Sequence, residues 1–222
     1  MTDFLKHGEY PKLKRLPIGP GLDGKKDTLI KENHLRLLLE QDVLIEEKMD
    51  GRTAKFTADN GRLSIFCEDL KWRHSIRYKV PARFAIFDIF DNQRTYYLDA
   101  EAKEDICKAI RRGDIKPEGM APDNFFPVTR FAEARHLTLE QFPPFLERVS
   151  RYAVDPATGK NIPGEGIVIK PARLLVDIEM DMYGAKLVRK EFLDGITDNY
   201  LRRPLERNII NPALFTEETG PV

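Results

Sequence analysis

Apolar residues in this chain fall in short blocks, most of them the length of a strand. Val43 to Glu47 form one such block, running straight into Lys48-Met49-Asp50-Gly51. Ahead of it, Leu35, Leu37, Leu38 and Leu39 mark a short helix over about residues 31–41. Thr53 to Ala58 and Arg62 to Cys67 flank Asp59-Asn60-Gly61. Asn-Gly is the strongest short-range turn signal, so a hairpin is predicted there. The run Phe84 to Phe90 is too short and aromatic for a helix and reads as a strand, with Tyr96 to Leu98 returning beside it. Asp99 is placed to cap a helix from Ala100 to about Arg112, with Ile106, Ala109 and Ile110 facing inward. Residues 113–127 carry Gly, Pro and Asn and read as loop.

Further along, Thr138 to Tyr152 read as a second helix with Pro143-Pro144 in its opening turns. Gly159 to Gly164 turn into a strand from Gly166 to Lys170, and Tyr183 to Arg189 form another. A last helix covers about Glu191 to Leu201, and the tail with Pro204, Pro212 and Pro221 is expected to pack poorly. Antiparallel strands interleaved with a few helices give an α+β fold.

Composition adds limits. The 222 residues suit one good-sized domain, and 41% are hydrophobic, enough for a core. The 36 basic and 36 acidic residues cancel, so only local charge clusters carry information about partners. Cys67 and Cys107 make no CxxC pair and read as reduced thiols, which argues against structural zinc. The start, Met1-Thr2-Asp3, has no apolar leader, and no apolar run approaches membrane-spanning length. The expectation is a soluble cytoplasmic protein.

Candidate chemistry concentrates at strand ends. Lys48 ends a buried strand just before a tight turn, a position that presents its amine to a cleft. Lysine attacks only when neutral, and desolvation and nearby cations supply that form. Glu68 stands at another strand end, Phe87-Asp88 pair an aromatic with an acid, Glu165 and Lys170 bracket one strand, and Lys186 and Arg189 lie on a late one. Converging, such strands would build a pocket basic in its depth and acidic at its rim, suited to a nucleoside triphosphate.

These segments, in this order, resemble the collinear motifs of the covalent lysine nucleotidyltransferases: DNA ligases, RNA ligases and mRNA capping enzymes. Lys48-Met49-Asp50-Gly51 resembles the first motif, the Glu68 segment the third, and Phe84 to Ile89 its RNA-ligase companion. Glu165 to Lys170 resemble the fourth, and Ala185-Lys186 to Phe192 the fifth. Glu68 to Ile76 with Tyr78, and Tyr10-Pro11-Lys12 with Leu16-Pro17 and Pro20-Gly21, resemble RNA ligases in particular. The likeness spans roughly residues 9 to 195.

The resemblance implies an ATP-grasp-like nucleotidyltransferase domain of the ligase type, with antiparallel sheets flanked by helices. It implies an ATP-dependent RNA ligase joining 5′-phosphate and 3′-hydroxyl RNA ends. Lys48 would carry AMP covalently. Asp50 and Glu68 would contact ribose, and Phe87 would stack on adenine with Asp88 in support. Glu165 would hold Mg²⁺ (or Mn²⁺) or ribose, Lys170 and Lys186 would bind the α-phosphate, and Glu47 would position adenine through its backbone. A DNA ligase, a capping-type transferase and a non-catalytic nucleotide- or RNA-binding module are the alternatives.

Departures leave some positions open. Val188 stands where the fifth motif often has a second lysine, so Arg189 is either a phosphate ligand or a surface charge. Arg62 is either the family's arginine after the first motif or a solvated hairpin residue, and Arg52 is another phosphate candidate. Only 27 residues follow Gly195, too few for an oligonucleotide-binding barrel, so a domain over residues 1–203 with a tail over 204–222 is expected. RNA would then be held by this domain or by a separate protein; the oligomeric state stays open.

Weaker candidates remain. Arg73 and His74 beside Trp72 read either as a grip on an RNA end or as packing with solvated charge. Arg111-Arg112 sit at a helix end. Lys12, Lys14, Arg15, Lys25 and Lys26 track a phosphate backbone or lie in a solvated loop. Asp177, Glu179 and Asp181 alternate along a possible strand. His7, His34 and His136 have no ligand spacing.

Overall fold

The computed structural model describes residues 9–19, 28–195 and 206–217. His7, Lys25, Lys26, the end of the last predicted helix at Leu201, Pro204 and Pro221 lie outside them. In chain order the elements are β1 (Lys14–Arg15), α1 (Glu32–Leu39), β2 (Val43–Lys48), β3 (Arg52–Ala58), β4 (Leu63–Asp69) and β5 (Arg77–Val80). There follow β6 (Phe84–Asp91), β7 (Tyr96–Tyr97), α2 (Ala100–Arg112), β8 (Phe125–Pro127), β9 (Arg130–Ala134), α3 (Pro143–Leu146) and β10 (Val149–Val154). The rest are β11 (Asn161–Pro163), β12 (Gly166–Pro171), β13 (Leu175–Val176), α4 (Asp177–Tyr183), β14 (Ala185–Val188), α5 (Lys190–Gly195) and β15 (Ile209–Ile210). The α+β expectation holds.

Three sheets result. The first has the order β1-β14-β12-β2-β9, the second β13-β7-β6-β4-β3 with β8 added beside β6, and the third β11-β10-β5-β15. Alternation splits the first sheet into two faces. Val43, Ile45, Ile167, Ile169 and Leu187 join Leu35 and Leu38 of α1 and Leu146 of α3 in one core. The other face looks toward the second sheet and lines the pocket described below. Behind the second sheet, α2 packs Cys107 and Ile110 onto Ile65, Ile86 and Phe125.

The β3–β4 hairpin forms where predicted. Asp59, Asn60 and Gly61 all take positive φ, the left-handed geometry that Asn and Gly tolerate best. Asp99 caps α2, accepting the Ala102 N–H at 2.9 Å.

Four expectations are corrected. Thr138 to Tyr152 is not one helix: a 3₁₀ turn and the short α3 give way to β10. Pro143 and Pro144 fit only a first turn, and Val149 to Val154 find strand partners in β5 and β11. Asp177, Glu179 and Asp181 lie on helix α4, not a strand, and each has a partner: Tyr97, Arg173 and Lys14 respectively. Residues 125–127 are strand β8, drawn into parallel pairing with β6. Residues 206–211 are anchored although largely exposed: β15 pairs with β5, and Asn208 is buried.

Gly166 is required where β12 passes β14, because a Cβ there would stand 2.1 Å from the Leu187 carbonyl oxygen. Backbone cannot yield as a flexible side chain can, so Gly166→Ala should cost about 3 kcal/mol. Its urea midpoint should fall well below wild type; an unchanged midpoint would mean the strands are not this close.

Candidate active site

Register places the chemistry. In an antiparallel ladder, directly opposed residues share a face. Lys48 opposes Gly166, Glu46 opposes Val168, and Leu44 opposes Lys170. Across the next strand, Lys186 opposes Val168. Lys48, Glu46, Val168, Lys170 and Lys186 therefore share one face. Thr53, Glu68, Phe87 and Asp88 of the second sheet, with Tyr10, Pro11 and Leu13 of the N-terminal segment, complete the pocket.

At one end stands Lys48, its amine 2.6 Å from a Glu165 carboxylate oxygen, with side chains 22% and 8% exposed. Burial alone would weaken the amine's hold on its proton. Glu165 outweighs that, helped by Glu68 and Asp50, and raises the amine above the ordinary lysine range. The expectation that its surroundings lower this pKa is thus reversed: the carboxylates around the amine raise it. Burial raises the Glu165 carboxyl against the pull of Lys48. Burial also pushes Glu68 up to about 8, and its Oε2 is buried without a hydrogen-bond partner.

Arg189 is not a loose surface charge. Its guanidinium donates to the carbonyls of Pro163 and Gly164, and its N–H donates to the Glu165 carbonyl. It pins the turn that delivers Glu165.

The far end is a buried ionic network. Lys170 bonds Asp88 and pairs with Glu46 at 3.0 Å, and Lys103 of α2 pairs with Glu46. Lys103 and Lys170 also donate to the Phe87 carbonyl, while Tyr10 donates its hydroxyl to Asp88 at 2.5 Å. Burial would raise the Glu46 carboxyl, but Lys103 and Lys170 hold it low. Burial would lower Lys170, but Asp88 and Glu46 hold it high. Lys170 lies four residues along the ladder from the level of Lys48, roughly 13 Å at the strand rise. Its amine is thus committed to the aromatic end, away from Lys48. Lys186 is two residues from that level and close enough to Glu165 to draw its carboxyl down. Phe87 stands here with Tyr10 edge-on to it at 4.8 Å and Phe66 stacked at 6.5 Å.

Other candidates sit outside the pocket. Asp50 Oδ2 accepts the N–H groups of Ser75 at 2.6 Å and Ile76 at 3.1 Å, so it braces a loop. Arg52 is exposed and does not line the pocket, which its neighbour Thr53 does. Arg62 pairs with Asp91 and Asp59 at the hairpin, remote from Lys48. Arg73 pairs with Glu206, His74 Nδ1 lies 3.8 Å from Asp50, and Trp72 is flanked by Lys71 and Arg207. Arg111 covers Phe215, and Arg112 pairs with Asp114.

A family profile described as RNA ligase matches residues 54–187. The chain belongs to the RNA ligase family. No curated protein matches the sequence. Among solved structures, Naegleria gruberi RNA ligase with PPi is 15% identical, with a TM-score of 0.51 over 84% of this chain and 62% of that one. An apo mutant of the same ligase is 13% identical, with a TM-score of 0.50 over 75% of this chain and 54% of that one. At such identity the likeness is one of fold, and the chain spans less than two thirds of either protein.

Sequence reading of this RNA ligase family chain missed Glu46, Lys103 and the place of Tyr10. Signals existed for two of them. Glu46 sits two residues before Lys48 and must share its face. Ala100, Lys103, Cys107 and Ile110 are buried at helical spacing, which puts Lys103 on the inner stripe.

Glu47 points to the opposite face, toward Gly164 and β10. Both its carboxylate oxygens are buried without a hydrogen-bond partner. Burial pushes it up from 4.5 to about 7, with the hydroxyls of Ser150 and Thr129 near enough to pull it part of the way back. Between those pH values the folded state keeps a proton that the unfolded chain gives up, so stability falls as pH rises through the window. Glu47→Gln should gain on wild type by on the order of 2 kcal/mol between pH 5 and pH 8. Urea unfolding at both pH values measures this; parallel pH dependence in the two proteins would contradict it.

Proposed function

We propose that this chain is an ATP-dependent RNA ligase that acts through AMP bound to Lys48. The observation that carries the reading is the pairing of Lys48 with Glu165 at one end of a pocket whose other end is aromatic. Family membership supports the reaction class, and the Naegleria ligase with PPi supports a pyrophosphate-yielding nucleotide at this fold's site.

In the reading, the base enters between Phe87 and Val168, edge-on to the Glu46–Lys170–Asp88 network, with the backbone of Glu47 beside it. Glu68 takes the ribose. Lys186 takes the α-phosphate, and Lys170 orients the base end in place of the phosphate role first expected of it. Lys48 Nζ attacks the α-phosphorus in line. The amine attacks in its neutral form: an N–P bond forms, nitrogen releases one of its two remaining protons to water, the bond to the β-phosphate oxygen breaks, and pyrophosphate leaves with that electron pair. Negative charge gathers on the equatorial oxygens, where Lys186 stabilises it. A 5′-phosphate end then takes the AMP from Lys48, and a 3′-hydroxyl displaces AMP to seal the strand. Trp72, Arg73 and His74, next to the Asp50 turn, suit an RNA end.

The donor set fits a hard divalent cation. Glu165 and the unpartnered Glu68 Oε2 are oxygen donors, and among the described residues no cluster of three or more His, Cys, Asp or Glu could hold an ion unaided. Phosphate oxygens and water would complete its shell, as magnesium prefers. When bound, Mg²⁺ or Mn²⁺ would supply charge stabilisation at the phosphates.

Incubation with α-labelled ATP and magnesium should give a label that survives denaturation, and Lys48→Ala should abolish it. Because the Lys48 amine titrates high, its neutral fraction grows with pH. Labelling at ATP well below saturation should therefore accelerate about tenfold per pH unit between pH 7 and 9. Wild type without label would leave a binding module as the better reading, GTP in place of ATP would point to capping chemistry, and sealing of DNA nicks alone would point to a DNA ligase.

A further inference from the structure

The segment over residues 206–211 does more than fill space. Asn208 is buried, and its side chain bridges two stretches of one loop. Its amide nitrogen donates to the carbonyls of Leu70 at 2.9 Å and Trp72 at 3.3 Å, and its amide oxygen accepts the Tyr78 N–H at 2.8 Å. All the hydrogen-bonding groups it uses lie at the neck of residues 70–78. Flanking bonds seat it: Asn208 N–H to the Lys71 carbonyl, Arg73 N–H to the Glu206 carbonyl, and Asn211 N–H to the Val80 carbonyl.

The same loop holds the turn that carries Lys48. Ser75 and Ile76 donate to the Asp50 carboxylate, and the Tyr78 hydroxyl accepts the Asp50 N–H at 2.9 Å. Gly51 is packed so closely that a Cβ would meet the Asp69 carbonyl oxygen and Leu70 Cδ2, each at 3.0 Å. These hydrogen bonds to Asp50 therefore all come from the stretch that Asn208 closes.

We propose that Asn208 is a positioning residue for nucleotidyl transfer: by clamping the neck of loop 70–78 it sets the Asp50 turn and so the direction in which Lys48 presents its amine. The inference rests on the reading of Lys48 as nucleophile. None of residues 70–78 lines the nucleotide pocket, so the clamp reaches it only through the Lys48–Gly51 turn and acts on the direction of the amine. Misplacing an attacking group by about an ångström is enough to cost on the order of a hundredfold in rate.

The test compares wild type, Asn208→Ala and Ile110→Val, the last a core change beneath the second sheet chosen to lower stability without touching the loop. Single-turnover labelling with ATP gives a rate constant and an amplitude. The clamp predicts that Asn208→Ala slows the rate at saturating ATP by roughly tenfold to a hundredfold, with amplitude and half-saturating ATP near wild type. A purely structural role predicts the Ile110→Val pattern, in which amplitude follows the folded fraction and the rate constant is unchanged; that result would overturn the proposal. Hydrogen exchange decides the same point without any chemistry. Ser75 and Ile76 amides should lose protection in Asn208→Ala and keep it in Ile110→Val, and full protection in both would also overturn the proposal. Wild type that takes no label would sink the nucleophile reading instead, while the exchange result still tests the clamp.

Discussion

An ammonium and a carboxylate share the end of two paired strands, and the arrangement of the site follows from keeping them there. Lys48 closes β2, and Glu165 stands just ahead of β12, delivered by a turn that Arg189 holds through its carbonyls. Opposition of Lys48 to Gly166 brings the two side chains together, and Gly166 must lack a side chain for β14 to pass so close. With Glu68 and Asp50 nearby, the resting amine keeps its proton despite its burial. A nucleophilic reading thus requires that Glu165 be drawn to another positive charge before attack. A divalent cation that Glu165 would help to hold supplies such a charge and leaves Lys186 for the α-phosphate.

The two ends of the pocket obey different electrostatics. At the aromatic end two lysines and two carboxylates neutralise one another in a buried network that Tyr10 closes through Asp88. Buried pairs of this kind add little net stability, but removing one partner leaves a charge stranded. They fix where Phe87 and the strand ends sit, because both lysines also hold the Phe87 carbonyl. At the Lys48 end the charges are less evenly matched, and one Glu68 oxygen has no partner among the described residues. In the proposed reading the aromatic slot takes a flat base and the ionic end takes its phosphates together with a cation. Fold alone would not select that ligand.

Much of this was legible from residue order. Asn60-Gly61 located the hairpin, Asp99 the start of α2, and the strand-end placement of Lys48, Glu165 and Lys186 located the pocket. The failures have physical causes. Residues 138–152 hold enough apolar spacing for a helix, but the prolines cap its length and β5 offers Val149 to Val154 a sheet edge. How far Lys170 lies from the level of Lys48 could not be read from residue order, because only the register with β2 sets it. The anchoring of residues 206–217 depends on pairings more than 120 residues apart in sequence, such as Asn208 with Tyr78, which no local pattern records.

Nitrogen-detected NMR titration of the Lys48 side-chain amine in the ligand-free protein tests the account at its base. The Glu165 pairing predicts a midpoint above that of an ordinary lysine in wild type, shifting down in Glu165→Gln. A wild-type midpoint at or below the ordinary value, unmoved by that substitution, would show that the pair does not govern the amine.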